Sequence, residues 1–173
     1  MKTKISLLVL ILSMAMTTGF SQDKTRKELK EQKNLEKQKQ IEAMVNSKEF
    51  VFVPRTALPS GMRPVNLSTN QNYVKFQVDL IDSYMPFFGN ANGSVVYSTD
   101  KGLKFIGKPE SFTVEKNKNA FNIDAVVKGE TDNFRLSLSV GFEGNASLLI
   151  SSNNRSTISY DGEISAFEKD GNK

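Results

Sequence analysis

Apolar and polar residues alternate with a period of two through much of the second half of this chain. The longest run places five apolar residues on one side of a strand: Phe134, Leu136, Leu138, Val140 and Phe142. Successive side chains of a β-strand point to opposite faces of the sheet, so strict alternation is typical of a half-buried strand. Shorter runs of the same kind occur at residues 121–127, 146–150 and 158–160. The pattern therefore predicts an antiparallel sheet with one apolar face.

Two turn signals between these runs predict how the strands pair. The first is Glu-Gly-Asn at residues 143–145, and the second is Asn-Asn-Arg at residues 153–155. The expected partners are Phe142 with Ala146, Val140 with Leu148 and Leu138 with Ile150 across the first turn, and Ile150 with Ile158 and Leu148 with Tyr160 across the second. A slip of one residue would turn every apolar side chain toward water, so the register is strongly specified. We therefore expect a meander of four to five strands over residues 112–160.

Further short strands are predicted at residues 50–53, 65–67, 74–78, 95–97 and 103–106. The first is expected to end at Pro54, because proline lacks the backbone N–H that a strand ladder uses. Residues 79–82 fit one helical turn with Asp79 as its cap and Asp82 in solvent. The predicted fold class is mainly β: an antiparallel meander closing into a barrel or sandwich of about eight to ten strands, preceded by one N-terminal charged helix.

Residues 22–49 are rich in Lys, Glu and Gln and contain no Gly or Pro, which favours a helix. The apolar residues of this arm are sparse until Ile41, Met44 and Val45, which share one helical face. We therefore expect a solvated helix whose final turn docks on the body. A helix that pairs with a partner is the alternative, although its heptads are too poor for a coiled coil.

The first 21 residues have the pattern of an export signal. Lys2 and Lys4 precede an apolar run at residues 5–16, and small residues then precede a cleavage site between Ser21 and Gln22. The run is short for a membrane helix, which needs about 20 apolar residues, so an uncleaved anchor is the less favoured alternative. We expect export to the periplasm or cell envelope, with no transmembrane span after signal removal. The predicted organisation is a signal peptide over 1–21, a helical arm over 22–49, a single β-domain over 50–167 and a disordered tail over 168–173.

Composition excludes several kinds of chemistry. The chain contains no cysteine and no histidine, which excludes disulfides, Ser-His-Asp and Cys-His catalysis, and metal sites built on His or Cys. Basic and acidic residues are equal in number over residues 51–173, so the body shows no basic excess for nucleic acid. Asp79 and Asp82 could act as a carboxylate pair or as calcium ligands, but they lack the spacing of a calcium loop. We therefore expect a non-enzymatic protein with no cofactor, no metal and no nucleic-acid partner.

Three blocks of the chain carry a family resemblance. They are Thr-Ala-Leu-Pro with Gly61 and Arg63, Ser-Tyr-Met-Pro-Phe-Phe-Gly at residues 83–89, and Asn-Arg-Ser-Thr-Ile-Ser-Tyr with Gly162. Together they resemble the domain-of-unknown-function family numbered forty-two fifty-one, which comprises small secreted proteins of Gram-negative bacteria. The resemblance covers about residues 50–164 and implies a mostly β, exported single domain without a known activity. Where the family often has Leu-Pro-Tyr-Phe-Gly, this chain has phenylalanine at Phe87 and so lacks a hydroxyl.

Two groups of side chains are candidates for ligand or partner binding. Tyr84, Phe87 and Phe88 lie in an irregular aromatic block that could form a binding lip. Because apolar aromatics are usually buried, the same block could instead plug one end of the barrel. Arg155 could grip a carboxylate or phosphate. Alternatively, the two asparagines before it supply left-handed turn conformations, while Arg155 is solvated or forms a structural ion pair.

These observations support two hypotheses about function. The first is a non-enzymatic binding or interaction module of the bacterial envelope, whose partner is an unknown envelope protein. The second is a lipocalin-like carrier of a small apolar ligand in a barrel cavity. A carrier needs a cavity of several hundred Å³. An interaction module would instead have its interior filled by phenylalanine rings, namely Phe76, Phe105, Phe112, Phe121, Phe134 and Phe142.

Overall fold

The computed structural model of this protein describes residues 19–69, 71–91, 102–129 and 132–167. The predicted strand at residues 95–97 and the predicted tail at 168–173 lie outside the described residues, as does most of the predicted signal peptide. The chain divides into two compact units, Met1–Lys37 and Gln38–Lys173.

One long helix, α1, runs through Gly19–Ser47. Leu29 and Leu35 in its first part are more than half exposed. The last turns, from Gln38 onward, belong to the second unit, and there Ile41 and Val45 are buried in the core. The helix stops at Lys48, which has a left-handed φ of 58° and whose N–H donates to the Val45 carbonyl. The predicted docking of the final turn is therefore confirmed.

Strands make up most of the second unit. In chain order, those of the described residues are β1 (Phe50–Pro59), β2 (Val65–Asn66), β3 (Tyr73–Gln77), β4 (Leu80–Met85), β5 (Leu103–Gly107), β6 (Pro109–Lys116), β7 (Ala120–Lys128), β8 (Asn133–Gly141), β9 (Asn145–Ser152) and β10 (Ile158–Ala166). Their order in the sheet is β5-β4-β3-β1-β10-β9-β8-β7-β6, and β2 pairs with β1 beside this path. All the pairings are antiparallel.

The sheet curls into a nearly closed barrel. Its two terminal strands, β5 and β6, follow each other in the chain with only Lys108 between them. The first and last strands of the domain are neighbours in the middle of the sheet, because β1 lies between β3 and β10. The predicted fold class is therefore confirmed: the protein is mainly β, with ten antiparallel strands in the described residues after one N-terminal helix.

The predicted meander is present as β6 to β10, and one of its two predicted turns is correct. Across the second turn the pairs are Ile150 with Ile158 and Leu148 with Tyr160, as predicted. Across the first turn the prediction is wrong by two residues, because Val140 pairs with Ala146. The chain turns earlier there, and the N–H of Gly144, which has a φ of 90°, donates to the Gly141 carbonyl. A shift of two residues leaves the apolar face unchanged.

Two local predictions in the first half of the body are wrong. Pro54 does not end β1, because the strand continues to Pro59 through an irregularity in register after Pro54, where a missing N–H is tolerated. Residues 79–82 do not form a helical turn. They hold the turn between β3 and β4 and the start of β4, because Gln77 pairs with Leu80 in a tight hairpin.

Stacked aromatic rings pack inside the barrel. The ring centres of Phe50 and Phe76 are 4.6 Å apart, and those of Phe105 and Phe134 are 4.1 Å apart. Of the six rings predicted to fill the interior, Phe76, Phe105, Phe121 and Phe134 are buried, while Phe112 and Phe142 are partly buried against the core. Tight packing of rings leaves less room in the interior for a ligand.

Candidate binding site

A groove of about 490 Å³ opens beside β5. Its lining comes from β3, β4 and β5 on one side and from the starts and ends of later strands on the other: Tyr73, Asp82, Ser83, Tyr84, Lys104, Phe105, Ile106, Gly129, Phe134 and Arg155. The strand β5 has β4 as its only ladder neighbour among the described strands. The groove therefore lies at an edge of the sheet, where no ladder between described strands closes the barrel.

Strand alternation decides which groups face this groove. Tyr84 and Lys104 are paired across β4 and β5 and point outward, whereas Ser83 and Phe105 are the next pair and point inward. The Ser83 hydroxyl donates to the Leu103 carbonyl at 2.8 Å and is buried. The Phe105 ring meets the Phe134 ring and forms part of the apolar floor.

Arg155 places a buried positive charge in the groove. Its side chain is only 8% exposed, although arginine is rarely buried so deeply. Nη2 donates to the Gly102 carbonyl at 3.1 Å, and Nη1 lies 3.5 Å from Oδ2 of Asp132. The guanidinium carbon lies 5.9 Å from the ring centre of Phe87 and 6.0 Å from that of Phe134, within reach of cation–π attraction. Nε has no hydrogen-bond partner among the described residues.

Asp132 compensates Arg155 only in part. Its carboxylate is fully buried, and Oδ1 accepts the backbone N–H groups of Asn133 at 2.9 Å and Asn153 at 3.0 Å. Oδ2 faces Arg155 but forms no hydrogen bond within the described residues. Breaking such a buried pair by removing one partner leaves an uncompensated charge, so each residue needs the other.

A tyrosine pair borders the groove on the outer face of β3 and β4. The ring centres of Tyr73 and Tyr84 are 6.0 Å apart. Nζ of Lys75 lies 4.7 Å from the centre of the Tyr73 ring, and Nζ of Lys104 lies 4.5 Å from that of Tyr84. The Tyr73 hydroxyl donates to Oδ2 of Asp82 at 3.2 Å. Partial burial, and then the negative charge of Asp82, raise the pKa of Tyr73, so this hydroxyl stays a neutral donor at neutral pH.

A second, more polar depression of about 660 Å³ shares this tyrosine pair. Its other lining residues are Thr69, Gln71 and Asn72. Asn72 is 8% exposed, and its Nδ2 has no hydrogen-bond partner within the described part of the chain. Two buried donors, one in each depression, therefore border the same pair of tyrosines.

The four candidate residues predicted from the sequence separate into two groups. Tyr84, which is 44% exposed, and Arg155 line the groove. Phe87 packs near the Arg155 guanidinium, and Phe88 is partly buried against the core. The aromatic block thus combines an exposed tyrosine with inward-facing phenylalanines.

Of the alternative interpretation of Arg155, the structural ion pair is present, with Asp132, whereas the solvated side chain and the left-handed asparagines are wrong. Among the described non-glycine residues, only Lys48 has a positive φ, so Asn153 and Asn154 are not left-handed. Arg155 is instead held against the segment that follows β4, because it forms a β-bridge with Ala91 and the next N–H, of Ser156, donates to the Asn90 carbonyl at 2.9 Å.

Sequence reasoning missed several groove residues. Tyr73 and Lys104 follow from strand pairing with Tyr84, so a correct register for β3 to β5 would have found them. Nothing local marks Asp132 as the buried partner of Arg155. The acids Asp79 and Asp82 do not converge, because Asp79 pairs with Lys108 at 3.4 Å and Asp82 accepts from Tyr73.

The described residues contain no cluster of three or more His, Cys, Asp or Glu side chains suited to a metal ion. In the same residues, no helix has the length and apolar character needed to cross a membrane.

Comparison with known proteins agrees with the barrel and its helix. The model of a family described as Domain of unknown function (DUF4251) matches residues 32–164. The chain belongs to the DUF4251 family. This confirms the resemblance carried by the three sequence blocks, which names the same family.

The fold of this DUF4251 protein is also similar to a solved structure. A crystal structure of a DUF4251 family protein from Bacteroides eggerthii aligns with a TM-score of 0.60 and 16% sequence identity, covering 75% of this chain and 87% of that chain. At this identity the likeness supports the shared fold. No curated protein matches the chain.

Proposed function

We propose that this DUF4251 protein is an exported, non-enzymatic binding module of the bacterial envelope, and that it binds through the groove beside Arg155. The observation that carries this proposal is the Nε–H of Arg155, which has no hydrogen-bond partner among the described residues and belongs to a side chain that is only 8% exposed and lines the groove. A buried donor without a partner costs about 1–3 kcal/mol. An acceptor on a ligand that displaces the groups covering Nε would remove that cost.

The proposed location rests on the export pattern of the first 21 residues. A basic start, an apolar run and a small-residue site precede Gln22. The absence of cysteine means that the domain relies on its core and ladders in an oxidising compartment.

The groove chemistry supports binding rather than turnover. The Ser83 hydroxyl is turned inward to the Leu103 carbonyl, and the chain has no histidine to activate a nucleophile. The exposed Tyr84 provides contact surface instead, beside a floor formed by the stacked Phe105 and Phe134, as in many ligand and partner sites.

The alternative, a lipocalin-like carrier of a small apolar ligand, has less support. Stacked rings such as Phe50 and Phe76 occupy the barrel interior, whereas the groove lies at its edge. Binding at this edge leaves the core intact.

Native mass spectrometry of the protein purified from the envelope of its own host tests the proposal. We expect bound mass, either a small molecule or a cross-linked partner, that is lost in Tyr84→Ser and kept in Leu149→Ser. Leu149 is a matched control because it is equally exposed, at 44%, but lies on β9 outside the groove. Bare protein in the wild type, or equal retention in both variants, would refute the groove as the binding site.

A further inference from the structure

We propose that the groove selects ligands that carry a carboxylate on an apolar body. This inference rests on the proposed binding function and names the class of ligand. Three features of the groove support it: the donor groups on one edge of the Arg155 guanidinium, the charged side chains of the lining, and the apolar rings at the bottom of the groove.

The guanidinium of Arg155 has donor capacity left for an oxyanion. Nε is unpartnered within the described residues, and Nη2 uses one of its two hydrogens for the Gly102 carbonyl. Nε and Nη2 lie side by side on one edge of the planar group, and this edge matches the two oxygens of a carboxylate. A lysine at the same position would act as a point charge and would not offer this fork.

The lining carries two cations and one carboxylate. Arg155 and Lys104 are its cations, and Asp82 is its carboxylate. Asp82 accepts the Tyr73 hydroxyl. Behind the lining, Asp132 shares its charge with two backbone N–H groups and stands 3.5 Å from Arg155 without a hydrogen bond to it. A ligand carboxylate would therefore meet a guanidinium that is only partly neutralised.

The remaining lining suits an apolar body rather than a bare anion. Phe105 and Phe134 stack at 4.1 Å, and Ile106 is 66% exposed at the rim. A volume of about 490 Å³ lies within the range of small-molecule sites, roughly 300–1,000 Å³. A free aryl or alkyl acid and the C-terminal carboxylate of a peptide share this chemistry.

The test compares matched acids and amides as probes of the purified full protein by isothermal titration calorimetry. The small-acid pair is benzoylglycine and its amide, and the peptide pair is acetyl-Ala-Ala-Phe with a free or an amidated C-terminus. We expect at least one acid to bind about tenfold or more tightly than its amide, because a charged acceptor strengthens the bonds to arginine. The tighter of the two acids identifies the source of the carboxylate.

Variants place the effect in the groove. Arg155→Gln should remove the preference for the acid, but Arg155 is buried and the variant can fail to fold. Lys104→Gln changes an exposed lining residue and should weaken acid binding about threefold to tenfold without changing amide binding. Lys75→Gln is the control, since Lys75 also lies over a tyrosine but does not line the groove, and it should leave both affinities unchanged.

Each outcome decides the inference. Equal affinity for acid and amide, or no binding of any probe, overturns the carboxylate class. Equal weakening by Lys104→Gln and Lys75→Gln overturns its placement in the groove. If envelope-bound mass still depends on Tyr84 while acids and amides bind alike, the binding function stands and only the ligand class fails.

Discussion

Leu138 offers a direct test of which face of the sheet is inside. It lies in the middle of β8, is 2% exposed, and is paired with Ile123 of β7 and Leu148 of β9. Leu138→Ala removes apolar carbons from a packed interior, and at about 0.8 kcal/mol per CH₂ the lost transfer energy alone is about 2 kcal/mol. Strands on both sides prevent the site from collapsing, so the cavity raises the expected loss to about 2–5 kcal/mol.

A urea titration followed by circular dichroism measures this loss. We expect a lower midpoint with an unchanged slope, since the surface exposed on unfolding stays nearly the same. In a thermal scan, each kcal/mol lowers Tm by roughly 2–4 °C for a protein of this size, so a loss of about 3 kcal/mol corresponds to about 10 °C.

Leu149→Ala is the matched control for this experiment. Leu149 lies on β9 directly after Leu148 but points to the other face and is 44% exposed. We expect it to change the free energy of unfolding by less than about 1 kcal/mol. If Leu138→Ala costs no more than Leu149→Ala, the assignment of the buried face is wrong.

Three further predictions concern strand approach, alkaline stability and helix docking. A Cβ at Gly162 would lie 2.1 Å from the Val53 carbonyl oxygen, so Gly162→Ala should cost at least about 3 kcal/mol in the urea titration; a loss under about 1 kcal/mol would contradict this close approach. Burial raises the pKa of Tyr160, so above pH of about 10 the unfolded state loses this proton while the folded state keeps it, and stability falls as pH rises. Tyr160→Phe should reduce that fall by up to about 1.4 kcal/mol per pH unit in denaturation curves at several alkaline pH values, and an unchanged slope would count against the raised pKa. Val45→Ala should cost about 1–3 kcal/mol of unfolding free energy because Val45 is fully buried. Leu35 is 57% exposed, so Leu35→Ala should change that free energy by less than about 0.5 kcal/mol. Equally small effects of the two substitutions in calorimetry would contradict docking of the helix end.

The alternating pattern predicted the sheet well because the pleat of a strand turns successive side chains to opposite faces, which produces a period of two. The turn between β9 and β10 was also predictable, since the apolar residues on both sides agree on one register. The partner of Ala146 across the turn after β8 was predicted two residues too late, because apolar Phe142 continues the alternating pattern, whereas the strand ends at Gly141. Gly144, with its left-handed backbone conformation, sets that turn. The pattern of apolar and polar residues does not predict this conformation.

The candidate site was predictable only in part. Tyr84 was a candidate as part of an irregular aromatic block and Arg155 as a cation in a turn, but the groove itself depends on strand order. For Arg155 the sequence left three possibilities open, namely an anion site, a solvated side chain and a structural ion pair, because burying a charge requires a partner that the local sequence does not show. That partner, Asp132, is far away in the sequence and reaches Arg155 only through the pairing of β8 with β9 and β9 with β10.

The position of β1 has a consequence for how the chain folds. Phe50 pairs with Ala166, and Pro59 pairs with Ile158. This ladder along β1 therefore cannot form until β10, the last strand, is available. Until β10 is available, both β1 and β9 have an unpaired edge, and such edges favour association with other chains. Contacts this distant along the chain predict folding on the scale of milliseconds to seconds rather than microseconds. The domain can therefore close only once its whole sequence is present, and any earlier intermediate needs protection of those two edges.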